Sequence, residues 1–352
     1  MTTPRKRPKP APRTPRLTPP AEIDLDEQGH LKGPGGGPTV PVARVPEQLA
    51  RRLVVPAGTT DIHVYVHGWQ TPPAQATRTA VRLLEQAFEL YESAPDRYPA
   101  LKSGYRPWCV VVRWPSSSLP GRKGYERIRD RAHAMSAEGR GHAPYVIGHL
   151  LGYLDSERTD PSGPAVLANR TGQYLHLMGH SFGGRFLCEA VQRAAEQPPV
   201  LGWSTPYDPR RPFTVDSMLI FQMAAPRDAF LRHFDTLFPT ATRPGAPLRG
   251  PIALTHSRWD RATGFWHLRA EKAPGIGHSG AGAAPVLQFS TRLLPTDTDY
   301  PQQVLDHRLV NIDADWLYRG SRRTRLHPAG AHSDFLRPES AHLLLTLAER
   351  SR

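Results

Sequence analysis

The chain has 352 residues, enough for one large α/β domain or two ordinary ones and ample to bury a core. Its formal net charge of +13 would suit a nucleic-acid or anionic-lipid partner, but six of the basic residues and seven prolines fall within the first 20 positions, which hold no acid. No run approaches 18 apolar residues, the basic start has no apolar segment behind it, and there are only two cysteines, so a membrane-spanning helix, a signal peptide and a disulfide scaffold are excluded and a cytoplasmic protein is expected.

Residues 1–40 are read as a disordered tail, because a basic, Pro-rich segment continued by Lys32-Gly33-Pro34-Gly35-Gly36-Gly37 buries too little apolar surface to fold. Contact of residues 1–20 with nucleic acid or membrane is the functional reading of that tail. A solubilising role is favoured over it, since no aromatic side chain is interleaved to stack on bases. Residues 41–352 are expected to form the folded domain. Arg44 to Val55 reads as a short helix and an early strand.

Asp61-Ile62-His63-Val64-Tyr65-Val66 is the first clear strand, β-branched and aromatic as a buried strand should be. It ends in His67-Gly68-Trp69-Gln70, and Pro72-Pro73 closes the loop before a helix over Ala74 to Glu92 with an apolar stripe of Val81, Leu84, Ala87, Phe88 and Tyr91. Trp108 to Trp114 is the next strand. Tyr125 to Asp155 reads mostly as helix, broken near Gly139, Gly141 and Pro144, and Asp160 to Pro164 is loop.

Gln173 to Ala190 is the stretch on which the rest depends. An apolar strand, Tyr174 to Met178, runs into Gly179-His180-Ser181-Phe182-Gly183 and then into a helix with Phe186, Leu187, Ala190 and Val191 at helical spacing. That is a nucleophile elbow, in which the tight turn lifts the Ser181 hydroxyl clear of the sheet and glycines supply the space it needs. The similar Gly277-His278-Ser279-Gly280 follows Lys272-Ala273-Pro274-Gly275, which is no central strand, and is read as loop.

Val215 to Met223 is another buried strand, and Asp228 to Phe238 an amphipathic helix whose aromatic stripe either packs inward or forms a small lid within residues 226–250. Pro251 to Thr255 is a short strand followed by Ser257 to Ala262, Leu309 to Ile312 is the last strand, and Ala341 to Leu347 closes with a helix. Strands alternating with crossover-length helices imply a mainly parallel central sheet with helices on both faces, and in such sheets reactive groups gather at the strands' carboxyl ends.

A serine hydroxyl needs a base, and the base an acid to orient it. Ser181, Asp260 and His332 satisfy the chain order nucleophile, acid, base. His327 is the rival base and Asp228 the rival acid, while Asp313 and Asp315 read as structural. The amide N–H groups of Phe182 and Trp69 are the candidate oxyanion donors, with Gln70 competing for the second position. No metal pattern appears. His63 and His67, four apart on a strand, are separated by roughly 13 Å.

With Val66-His67-Gly68-Trp69, the elbow Gly179 to Gly184, the acid loop Ser257 to Ala262 and His332, residues 55–350 resemble the α/β-hydrolase family, nearest to bacterial lipase- and esterase-like members. The resemblance implies acyl transfer to water without a cofactor, and Ser181 excludes the members with an Asp nucleophile. His67, Gly68, Trp114 and Trp259 are expected at the pocket, where Trp69, Trp114, Phe182 and Trp259 favour a small-molecule ester with an apolar acyl part. The alternative is a catalytically silent binding protein on the same fold. Nothing in the sequence indicates an oligomeric state.

Overall fold

The computed structural model describes residues 17–119, 121–136, 141–158, 173–196, 215–239, 246–306, 308–320 and 329–352. Eight strands form one sheet: β1 Ala21–Asp24, β2 Asp61–Val66, β3 Pro107–Arg113, β4 Tyr174–His180, β5 Ser217–Phe221, β6 Ile252–His256, β7 Gln288–Arg292 and β8 Leu309–Asp313. Their order is β1-β3-β2-β4-β5-β6-β8-β7 and every pairing is parallel.

A parallel sheet covered on both faces must send alternate side chains of each strand into two different cores, which is why its central strands are apolar throughout. Ile62, Val64 and Val66 of β2 join one core with Leu175 and Leu177 of β4. Tyr65 and Met178 join the other. The first core is covered by α1 Val45–Arg52, α3 Arg122–Ser136, α4 Ala143–Arg158 and α5 Phe182–Glu196, the second by α2 Pro73–Ser93 and α9 Pro338–Arg350. Burying each such Val or Leu contributes about 1.5–3 kcal/mol, so a charge at Val64 would break the sheet at its centre.

Several expectations are corrected. Residues 21–40, expected within the disordered tail, hold β1, and Ile23, Leu25 and Leu31 are buried in the first core. Three apolar side chains outweigh the local polar composition; residues 1–16 lie outside the described residues. The early strand expected by Val55 is absent, no strand lying between α1 and β2, and β7, whose side chains are largely exposed, extends the sheet at an edge the sequence did not reveal. Asp228 to Phe238 is not one helix but a single turn, α6 Ala229–Arg232, and a 3-10 turn at Asp235–Leu237. Phe230, Phe234, Leu237 and Phe238 are all buried in the first core, the inward packing that competed with a lid.

The helix expected over Tyr125 to Asp155 is broken into α3 and α4, as its glycines and Pro144 required. The loop at Asp160 to Pro164 lies outside the described residues. After β6 the chain makes a π-helical turn, Ala262–Trp266, continued by α7 His267–Glu271 and the one-turn α8 Ile276–Ser279. The second Gly-His-Ser stretch is therefore a short helix where loop was expected.

Candidate active site

Ser181 stands alone between the end of β4 and the start of α5. Its φ is +56°, a left-handed conformation that costs a serine about 1–3 kcal/mol and persists only when the surroundings enforce it. Two glycines enforce it here. A Cβ on Gly183 would lie 2.3 Å from the His67 carbonyl oxygen, and one on Gly68 would lie 2.8 Å from Ser181 Cβ. The His-Gly loop and the elbow are thus in backbone contact.

Three side chains from three loops converge on this turn. His332 Nε2 is 2.7 Å from Ser181 Oγ, and His332 Nδ1 is 2.8 Å from Asp260 Oδ2. An ionised carboxylate only accepts, so the imidazole carries its proton on Nδ1 and leaves Nε2 to accept from the serine hydroxyl. Asp260 is fully buried and Ser181 1% exposed. The π-helical turn brings the Thr263 N–H to Asp260 Oδ1 at 3.0 Å, and the Gln222 amide donates to Oδ2 at 3.1 Å. The Asp260 carboxylate is met by donors on both oxygens.

The rivals lie elsewhere or outside view. Asp228 pairs with Arg232 at 2.6 Å, Asp313 accepts the Asp315 N–H, and Asp315 in turn accepts from the Arg258 N–H. His327 is outside the described residues. His180 is buried beside His332: its Nε2–H donates to the His332 carbonyl at 2.8 Å. Burial, helped by the neighbouring His332 imidazole, pushes its pKa down to about 3. That makes it a fixed neutral donor.

Among the described residues the amide N–H groups of Phe182 and Trp69 have no acceptor, whereas that of Gln70 donates to Ser116 O at 3.0 Å. Of the two candidates for the second donor, Trp69 is the one whose N–H is left free to meet an acceptor. The Trp69 indole is itself held, donating to Ser118 Oγ at 2.7 Å. Two expected pocket residues prove to be framework. His67 is fully buried and Trp114 nearly so; the Trp114 N–H donates to His67 Nε2 at 3.2 Å and its indole N–H to His67 O at 2.7 Å. Burial lowers the His67 pKa to about 4, so this ring is neutral and serves to pin the loop. Gly68 touches the elbow, and Trp259, next to the acid, is partly exposed.

Sequence reasoning missed Gln222, which it counted as the penultimate residue of a strand; a buried amide at the end of a strand facing the acid loop was the available signal. Among the described residues no group of three or more His, Cys, Asp or Glu could hold a metal ion, and no helix is long and apolar enough to cross a membrane.

No family model matches the chain, and no curated protein matches it. A solved structure described as the metagenomic carboxyl esterase MGS0156 is similar at 14% identity over 91% of this chain and 82% of that one. Its TM-score is 0.26, an overlay too loose to bear on the fold or the site. The α/β class rests on the eight parallel strands and the helices around them.

Proposed function

We propose that this chain is a serine hydrolase of the α/β-hydrolase type that cleaves a carboxylic ester through an acyl-enzyme on Ser181. One observation carries the reading: a left-handed serine between strand and helix, 2.7 Å from an imidazole whose other nitrogen is 2.8 Å from a buried carboxylate.

In the first half-reaction His332 Nε2 takes the Ser181 proton as Oγ bonds to the ester carbon, and the displaced electron pair gathers on the carbonyl oxygen. The Phe182 and Trp69 amides donate to that oxyanion, the first of them from the first turn of α5, where the helix dipole favours negative charge. Collapse expels the alkoxide, which receives the proton from Nε2. Water, deprotonated by the same nitrogen, then attacks the acyl carbon, and collapse breaks the bond to Ser181 Oγ, which takes the proton back from Nε2 as the carboxylic acid is released. Asp260 stays ionised throughout, holding Nδ1–H and offsetting the imidazolium charge. The indole of Trp259 and the Trp69 ring support a substrate with an apolar acyl part.

The test is Ser181→Ala against a p-nitrophenyl ester, where the reading expects loss of all turnover above background. Undiminished hydrolysis by that variant would refute it. A silent binding protein on the same fold would leave the wild type unreactive toward fluorophosphonate.

A further inference from the structure

Gln222, the residue after β5, has φ +48°, in the left-handed region that side chains with a Cβ avoid. Its surroundings hold it there. The Gln222 N–H donates to Thr255 O at 3.1 Å, and Gly277 of α8 packs so tightly on it that a Cβ there would be 2.5 Å from the Gln222 carbonyl carbon. The consequence of that turn is to aim the side chain at the base loop.

The Gln222 side chain is fully buried, and its Nε2 lies 3.1 Å from Asp260 Oδ2 and 3.1 Å from Ala331 O. Both partners can only accept, so the amide nitrogen must face them, one N–H to each. Its Oε1 is left buried without a partner among the described residues. An unpaired carbonyl oxygen is costly, and the arrangement persists because the flipped amide would set an oxygen against two others.

We propose that Gln222 is a positioning residue for the Ser181–His332 reaction, tying the acid to the backbone that carries the base so that Asp260 and His332 move as one body. This rests on the hydrolase reading. One amide joins the acid's carboxylate to the peptide immediately before the base, while His180 donates to the carbonyl of the base itself. The second Gly-His-Ser stretch acquires a role as the brace beneath it. Gly277 supports the Gln222 turn, and His278 Nδ1 lies 3.2 Å from the Asp260 backbone carbonyl, where it donates.

The variant Gln222→Met keeps length and apolar volume and removes both donors. On p-nitrophenyl acetate it is expected to lower kcat by roughly tenfold to a hundredfold, the loss of hydrogen bonds to a charged acceptor, with KM unchanged. A role confined to stability would lower the yield of folded enzyme and leave kcat per active site, titrated with fluorophosphonate, where it was. A second readout needs no turnover. The His332 Nδ1–H proton, assigned as the downfield resonance absent from Asp260→Asn, should shift or broaden in Gln222→Met. If Gln222→Met does not fold, the wild-type protein still decides: the Gln222 side-chain amide protons should exchange slowly and move on Asp260→Asn. Unchanged kcat and an unchanged His332 proton in folded Gln222→Met, or rapidly exchanging Gln222 amide protons in the wild type, would overturn the proposal. A wild type inert toward esters but with both proton signatures intact would instead sink the hydrolase reading and leave the Gln222 tie standing.

Discussion

Asp61 and Arg352, 291 positions apart, meet through two hydrogen bonds of 3.0 and 2.8 Å from the guanidinium to the two carboxylate oxygens. Burial alone would raise the Asp61 pKa, but His176, 3.1 Å away, and Arg352 hold the carboxyl well below the usual carboxylate range. The pair sits at the amino end of β2, and Ser181 follows the carboxyl end of its parallel neighbour β4, so the two lie at opposite ends of the strands. Arg352→Met leaves a fully buried charge without its cation and is expected to cost about 3–5 kcal/mol in urea unfolding. Because the pair is remote from the elbow, kcat per folded molecule should not move. A loss below about 1 kcal/mol would mean the carboxylate is solvated after all.

A neutral, buried His67 makes stability depend on pH. Its folded pKa of about 4 lies below the ordinary histidine value, so between the two the unfolded chain binds a proton that the folded chain does not. Stability contributed by His67 is present above about pH 6.5 and is lost as pH falls toward 4, by roughly 2 kcal/mol at pH 5. Gln is the substitution that can still accept the Trp114 N–H. Urea midpoints of His67→Gln at pH 7.5 and 5 should therefore differ less than those of the wild type, and an equal difference would contradict the assignment.

Close approach of backbone to backbone makes Gly183 irreplaceable. A Cβ there would meet two carbonyl oxygens, His67 O at 2.3 Å and Val66 O at 2.4 Å, neither of which can rotate away. Gly183→Ala is expected to cost at least about 2 kcal/mol and to separate the His67-Gly68 loop from the turn at Ser181. Gly282→Ala is the control, since the nearest atoms to its Cβ would belong to the Arg227 side chain, at 3.4 Å and beyond. Thermal melts of the two variants should differ clearly; equal melting temperatures would count against so tight a contact.

The central strands and the turn at Ser181 were legible because their signals are local. β2, β3 and β4 are apolar on both faces, and the elbow carries its glycines within six positions. Edge strands carry no such signal. β1 lies in what composition marks as tail, and β7, Gln-Phe-Ser-Thr-Arg, pairs on one side only and is largely exposed. His67 and Trp114 were expected at a pocket because they stand at the carboxyl ends of strands, yet the hydrogen bonds between them turn both inward, a long-range relation that spacing does not encode. Gln222 escaped notice for the same reason: its partners are 38 and 109 positions away.

The account stands on the Ser181 hydroxyl being made nucleophilic by His332, and active-site labelling reads that directly. Wild-type protein, His332→Ala and Asp260→Asn would each be treated with a fluorophosphonate, digested, and searched by mass spectrometry for the adduct. Stoichiometric modification of the Ser181 peptide in the wild type, falling by orders of magnitude in His332→Ala, is the predicted result. A wild type that stays unlabelled, or a Ser181 labelled equally fast without the imidazole, would contradict it.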